Sequence, residues 1–325
     1  MTRVSVVLPA RDADPRLFRR ALRSTLRSRD VDVVVVVVDH GSTDAIVSDD
    51  ERVTVVHVAR DATFADALNA GVAVCDSDVI ARMDADDVMH PARLRAHADA
   101  LANDPTLAAV SSRVKVLPRS TINMRGYVMW QNAIASPAEH RRERFIEQPV
   151  CHPATTFRRS ALDDVGGYVH NDVVEDYDLF LRLLGRGHRL QKLSAVHHGW
   201  RQHEGQATRR IDRDAIACLK AKHLVHDFEL GARDVIVVGA GKEGRRISRA
   251  LRARGVIVSA FVDVDPNKVG RVVHGAPVHD PSWLSERPPW AFVVGAVGTS
   301  GARGAVRALF ADVGLAEDVD AVVVA

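Results

Sequence analysis

Residues 79–94 read VIARMDADDVMHPARL, and the reading of this stretch decides the fold. Val79-Ile80-Ala81 is an apolar-leaning run that predicts a buried strand. The run ends on Asp84-Ala85-Asp86-Asp87, and a helix-like pattern begins after Pro91. Carboxylates this close repel one another strongly. Such a cluster persists most readily where a cation or a ring of donors neutralises it. Hard oxygen ligands of this kind suit Mg²⁺ or Mn²⁺. The same residues would also make a solvated acidic turn with Asp87 near a helix N-terminus. The neighbouring segments have to decide.

Residues 4–8 (VSVVL) form a short β-branched run closed by Pro9, and residues 33–38 are consecutive valines. Both predict buried parallel strands. Between them, Leu17, Phe18, Ala21, Leu22, Thr25 and Leu26 make one helical face. The valine run stops at Asp39-His40-Gly41-Ser42-Thr43-Asp44, a loop of turn formers and caps. A third strand is predicted over residues 53–58 and a helix over 62–74, around Phe64, Ala67, Leu68 and Gly71. Strand and helix alternate, which predicts an α/β doubly wound parallel sheet with ligands at the carboxyl ends of its strands. Residues 9–12, 39–44 and 84–87 all fall at such ends, so polar strand exits converge on one edge.

The chain has 325 residues, 46% of them apolar, which gives room for a large core and argues against wholesale disorder. Net charge is +2, with 44 basic and 42 acidic side chains. That balance gives no reason to expect a nucleic-acid partner. Arginines cluster at Arg16, Arg19, Arg20, Arg23, Arg27 and Arg29, a solvated helix face or a contact for anionic lipid. Cys75, Cys151 and Cys218 form no metal-ligand spacing and read as reduced cytoplasmic thiols. No apolar run reaches the ~20 residues of a membrane span, and residues 3–11 read as a strand rather than a signal peptide.

Several motifs then fall in a familiar order. They are Val4-Ser5-Val6-Val7-Leu8-Pro9-Ala10, Val37-Val38-Asp39-His40-Gly41-Ser42-Thr43-Asp44, Ala67-Leu68-Asn69-Ala70-Gly71 and Asp84-Ala85-Asp86. His152-Pro153, Phe157-Arg158-Arg159-Ser160, Val165-Gly166-Gly167-Tyr168 and Glu175-Asp176-Tyr177-Asp178-Leu179 follow. As a set, over residues 1–210, the chain resembles a family-2 glycosyltransferase of the glycosyltransferase-A fold. The resemblance implies a nucleotide-sugar donor held by Pro9, Ala10, Arg11, Asp39, His40, Asn69 and Asp84. It implies Mn²⁺ or Mg²⁺ on Asp86, with Asp84 facing ribose or metal and His203 completing the site. A solvated loop histidine is the alternative for His203. Inverting transfer to a glycan or lipid-linked hydroxyl then needs a general base. Asp176 is that base by resemblance, with Glu175 in reserve; the pair would otherwise only cap the helix that follows.

Two departures bear on the donor. His40 stands where the family usually carries a second Asp, and Arg11-Asp12 where an aromatic residue and Asn are common. An Arg plane still stacks on a base, but His cannot offer carboxylate oxygens to a base N–H. Uridine is only the default base. The acceptor would be read by residues 113–148, where Tyr127 and Trp130 could stack on a sugar ring or simply pack.

Residues 211–232 read as a helical linker, with Ile216, Leu219, Leu224, Val225 and Phe228 expected to pack on the first domain and Gly231 as its C-cap. A smaller Rossmann-like domain is predicted over 233–325. It has a strand at 235–238, then Gly239-Ala240-Gly241-Lys242-Glu243-Gly244, a helix, and a strand at 256–262 ending by Asp263. This is a dinucleotide-type fingerprint in its required context, with Gly239, Gly241, Gly244 and Asp263 as nucleotide-binding residues. Helix–strand packing is the other explanation for its glycines. Only one more strand, at 291–297, is read in this domain of about 90 residues. The piece resembles the nucleotide-binding domain of bacterial sugar acyltransferases. The whole is expected to be a cytoplasmic glycosyltransferase, or one peripheral to the inner face of a membrane. A non-catalytic nucleotide-sugar binding protein and an NAD-dependent oxidoreductase are the alternatives. Sequence leaves the donor sugar, the acceptor and the oligomeric state open.

Overall fold

The computed structural model describes residues 1–118, 122–170, 174–202, 212–299 and 301–325. The chain divides into two compact units, Met1–Arg141 with Gln148–Arg209, and Arg142–Glu147 with Arg210–Ala325.

The first unit opens as its hydrophobic pattern predicts. β1 (Arg3–Ala10), α1 (Pro15–Leu26), β2 (Asp32–His40), β3 (Val53–Val58), α2 (Phe64–Val74) and β4 (Val79–Arg82) follow one another. After β4 come β5 (Val88–Met89), α3 (Arg93–Asn103), β6 (Leu107–Leu117), α4 (Ile122–Ala133) and α5 (Pro137–Glu143). The unit is completed by β7 (Thr155–Arg158), α6 (Arg159–Asp164), α7 (Glu175–Gly185) and β8 (Arg189–Arg201). Its sheet has the order β3-β2-β1-β4-β7-β6-β8-β5.

β1 to β4 run parallel, so the ends of β1, β2 and β4 share one edge. The wholly parallel sheet expected from the first hundred residues does not continue. β7 is antiparallel to both β4 and β6, and β5 is antiparallel to β8. The reversal matters for the site: Ala81 pairs with Thr156, so the start of β7 and the preceding His152 lie at the carboxyl end of β4. α2 packs on the sheet through Gly71, whose absent Cβ would lie 2.6 Å from Val38 Cγ2. Leu68, Val38, Phe157, Phe180 and Leu183 fill that side, and Val6, Leu8, Val35 and Met83 the other.

The second unit contains α8 (Arg213–Asp227), β9 (Val235–Val238), α9 (Lys242–Arg252), β10 (Val258–Val262), β11 (Val272–Val273), β12 (Ala276–His279), β13 (Phe292–Gly295), α10 (Ala302–Asp312) and β14 (Ala321–Val323). The strands order as β11-β12-β10-β9-β13-β14. β11, β12 and β14 go beyond the strands read from sequence. Pro277 breaks the β12 pattern, and β14 is only three residues long.

The predicted linker helix needs correcting. α8 falls within the second unit, and its apolar face with it. Its buried Lys220 donates to the carbonyls of Ile146 (2.8 Å) and Val324 (2.9 Å). Its end packs Phe228 against Phe292, ring centroids 4.6 Å apart. The helix closes at Phe228, and Glu229, not Gly231, takes the left-handed conformation (φ 51°).

Candidate active site

The turn from β4 to β5 carries Asp84, Asp86 and Asp87, whose ligand atoms all lie within 4.8 Å of one another. Asp87 precedes a strand, so it does not cap a helix. Its Oδ1 accepts the Arg201 N–H (2.6 Å) and its Oδ2 accepts from His198 Nε2 (2.7 Å). Arg93 fixes the tautomer of that histidine. Arg93 Nη1 is 3.1 Å from His198 Nδ1, and a guanidinium can only donate. Nδ1 therefore accepts and Nε2 carries the proton. Burial, then Arg93, holds the imidazole pKa far below its usual value, so it is neutral. Burial and the Asp84 charge push Asp87 well up, opposed by the Arg201 N–H. Asp87 thus ties the acidic turn to the end of β8, and Arg201 Nε adds a 2.8 Å bond to the Asp86 carbonyl. With both Asp87 oxygens engaged, Asp84 and Asp86 are the carboxylates that fit a divalent cation.

Arg82, buried at the end of β4, pairs with Asp84 Oδ1 at 2.7 Å and sits over the Phe64 ring. α7 begins at Glu175, with Val174 as N-cap and Glu175 and Asp176 in its first turn. Asp176 Oδ2 accepts from Gln148 Nε2 (2.9 Å) and Oδ1 from the Tyr177 N–H (2.7 Å). His152 Nδ1 lies 3.9 Å from Asp176, and its Nε2 is 2.7 Å from the Tyr168 hydroxyl. Burial, then the neighbouring Asp176 charge, pushes Glu175 up to about 7. Burial also raises Asp176, against the Gln148 and Tyr177 hydrogen bonds. Arg82 and Asp84 act electrostatically on both carboxyls, so the acidic turn and the start of α7 share one field.

The predicted donor residues divide. Pro9 and Ala10 are buried at the end of β1, and Arg11 is exposed beside them. Asp39 is buried and accepts the N–H groups of Ser42 (3.0 Å) and Ile46 (3.1 Å) and His57 Nδ1 (3.1 Å). Burial alone would raise its pKa, but these bonds outweigh it and the carboxyl falls below its ordinary value. His40 Nε2 donates to the Ala62 carbonyl at 2.8 Å. Both residues organise the loop beside β1. Asn69 does similar work: its amide donates to the Tyr168 carbonyl (2.7 Å) and accepts the Tyr168 N–H (2.9 Å). It therefore positions Tyr168. His203 lies outside the described residues.

Sequence reasoning missed Arg82, Arg93, Gln148 and Arg60. Arg60 holds the Gly41 carbonyl and Asp12, both at 2.8 Å. The Thr43 N–H and Arg60 hold Asp12 down at about 2. The only sequence signal for Arg82 was a cation inside an apolar strand directly before the acidic turn. In the acceptor region, Tyr127 donates to the Gln148 carbonyl (3.2 Å) and packs against Trp130 and Trp200.

This arrangement, an acidic turn after the fourth parallel strand facing a carboxylate pair on a later helix, defines a glycosyltransferase-A-like unit. Residues 5–166 match the family described as glycosyl transferase family 2. Through those residues the chain belongs to that family. It is 30% identical over 141 residues to the amylovoran biosynthesis glycosyltransferase AmsE of Erwinia amylovora, 40% of this chain and 47% of that protein. It is 25% identical over 204 residues to an uncharacterized glycosyltransferase of Haemophilus influenzae, 61% of this chain and 74% of that one. The chain therefore spans from about half to three quarters of the length of these relatives. In structure it resembles S. aureus TarS residues 1–349 in complex with UDP-GlcNAc. The TM-score is 0.55 at 14% identity, covering 77% of this chain and 72% of that one. At that identity the likeness is one of fold.

Proposed function

We propose that the protein is an inverting, metal-dependent glycosyltransferase. It moves a sugar from a nucleotide-diphosphate sugar to a hydroxyl acceptor in glycan or cell-surface polysaccharide synthesis. The observation that carries this reading is the shared field of Asp84, Arg82, Glu175 and Asp176, distant in sequence and grouped within a family-2 domain. Mn²⁺ or Mg²⁺ on Asp86 and Asp84 would neutralise the leaving diphosphate.

Asp176 is the base that takes the acceptor proton. Gln148 and the Tyr177 N–H orient its carboxylate and favour the charged form. Burial raises both carboxyls, Glu175 to about 7 with the Asp176 charge adding to it, while the Gln148 and Tyr177 bonds oppose the rise at Asp176. His152, kept neutral by burial and then Arg82, adds no competing charge. Arg11 supplies a planar cation beside the donor end of β1. The exposed arginines of α1 offer a peripheral contact to anionic lipid headgroups. No helix among the described residues is long and apolar enough to cross a membrane.

The test is release of nucleoside diphosphate from a panel of nucleotide sugars, with Mn²⁺ and with EDTA, in the presence of polyprenyl- and glycan-type acceptors. Metal-dependent, acceptor-stimulated release supports the reading. Binding without turnover across the panel would favour a sensor instead.

A further inference from the structure

We infer that the second unit holds a separate, metal-independent site for the nucleoside diphosphate moiety of one nucleotide. A cavity of about 600 Å³ opens where β9, β10 and β13 end. The strand order turns from β10 to β13 across β9 at this point. Such a switch point is where open α/β sheets take ligands.

Two strand–loop–helix units face the cavity, one through Gly239, Gly241 and Lys242 and the other through Gly298, Thr299 and Ala302. The second loop lies against the start of α9, since a Cβ on Gly298 would be 2.9 Å from Glu243 Cγ. Neither α9 nor α10 has a side-chain cap. Two helix N-termini on one cavity favour a polyanion such as a diphosphate.

The glycines separate into two kinds. Gly239 has φ 108° and Gly244 lies so close to the strand that its Cβ would be 1.7 Å from the Gly239 carbonyl oxygen. Backbone geometry and packing require both. Gly241 is different. Its φ is an ordinary −82°, and nothing lies within 4 Å of its absent Cβ. Ser or Asp at this N-cap would stabilise α9. Nothing in the protein itself demands glycine there, whereas a phosphate approaching the backbone would.

Asp263 supplies the other end. It is 8% exposed and accepts the N–H groups of Ala240 (2.8 Å) and Asp265 (2.9 Å) and the Lys268 ammonium (3.1 Å). A carboxylate offers about four acceptor positions, so one remains for a ribose hydroxyl. Both glycine loops frame the same space, which fits one nucleotide rather than the two halves of a dinucleotide.

The test is calorimetry of the full chain in EDTA with ADP, GDP, UDP, CDP, UDP-N-acetylglucosamine and NAD⁺. At least one nucleoside diphosphate or the nucleotide sugar should bind, and Gly241→Val should weaken that binding tenfold or more while the unfolding midpoint stays in place. If the valine variant fails to fold, Gly241→Ala is read instead. Comparable binding of the diphosphate and its sugar would assign a nucleotide sugar; preference for the diphosphate would assign a free nucleotide. Repeating the titration in an Asp86→Ala background keeps this site distinct from the catalytic one, because its EDTA-insensitive binding should persist there. The inference falls if nothing binds at millimolar concentration in EDTA, if both Gly241 variants bind as wild type, or if only NAD⁺ binds.

Discussion

His198 Nε2 donates to Asp87 Oδ2 across 2.7 Å, and both side chains are wholly shielded from solvent. This pair shows that the acidic turn contains two kinds of carboxylate. Asp87→Ala would leave the His198 and Arg201 N–H groups buried without an acceptor, at a cost of about 2–4 kcal/mol. Urea unfolding should show that loss, together with weakened metal-dependent nucleotide binding as the end of β8 shifts. Loss of metal binding with no change in the unfolding midpoint would make Asp87 a ligand rather than a support.

Asp176→Asn should retain donor affinity and lose transfer. Asn keeps the Tyr177 N–H contact but cannot accept a proton, and a general base is worth ~10²–10⁴-fold. Single-turnover kinetics on an active donor–acceptor pair measures it. A rate within a few-fold of wild type would move the base to Glu175.

Glu175 gives a pH signature. Its folded pKa is about 7, raised from 4.5 by burial and then Asp176. For a carboxyl raised on folding, the stability it contributes is fully present below the unfolded value and lost as pH rises through the folded one. Glu175→Gln should therefore match wild type near pH 4 and exceed it near pH 8 by about 1–2 kcal/mol, allowing for solvent screening. Thermal unfolding across that range checks the sign. The acid limb of the wild-type rate belongs to Asp176 and should move lower in the variant, where no second carboxyl raises it.

The first four strands were legible because consecutive Val, Ile and Leu bounded by Pro, Gly and Asp leave few alternatives. The acidic turn and Glu175-Asp176 were legible through their order in the chain. Arg82 and Gln148 were not, since their roles arise only when β7 inserts antiparallel beside β4 and the sheet edge gathers distant residues. Asn69 carries a contact that sequence does not mark, since its amide holds the Tyr168 backbone. The partner of the helix after residue 210 was not legible either, because an apolar face specifies burial without naming its partner.

That helix leads to another prediction. Arg144 Nη1 bonds Asp318 at 2.6 Å and Lys220 bonds the Val324 carbonyl, all within the second unit. A chain ending at Gly231 would remove one acceptor from each of these buried cations, and a buried charge is costly to leave incompletely paired. It should be largely insoluble. A soluble fragment with one cooperative transition would contradict the shared core of residues 142–147 and the C-terminal half.

The most direct test of the account is calorimetry of nucleoside diphosphates with Mn²⁺ against EDTA, in wild type and Asp86→Ala. The account predicts a Mn²⁺-dependent component in wild type, its loss in the variant, and an unchanged unfolding midpoint. Equal affinity with and without metal, or a Mn²⁺-dependent component surviving in Asp86→Ala, would contradict it.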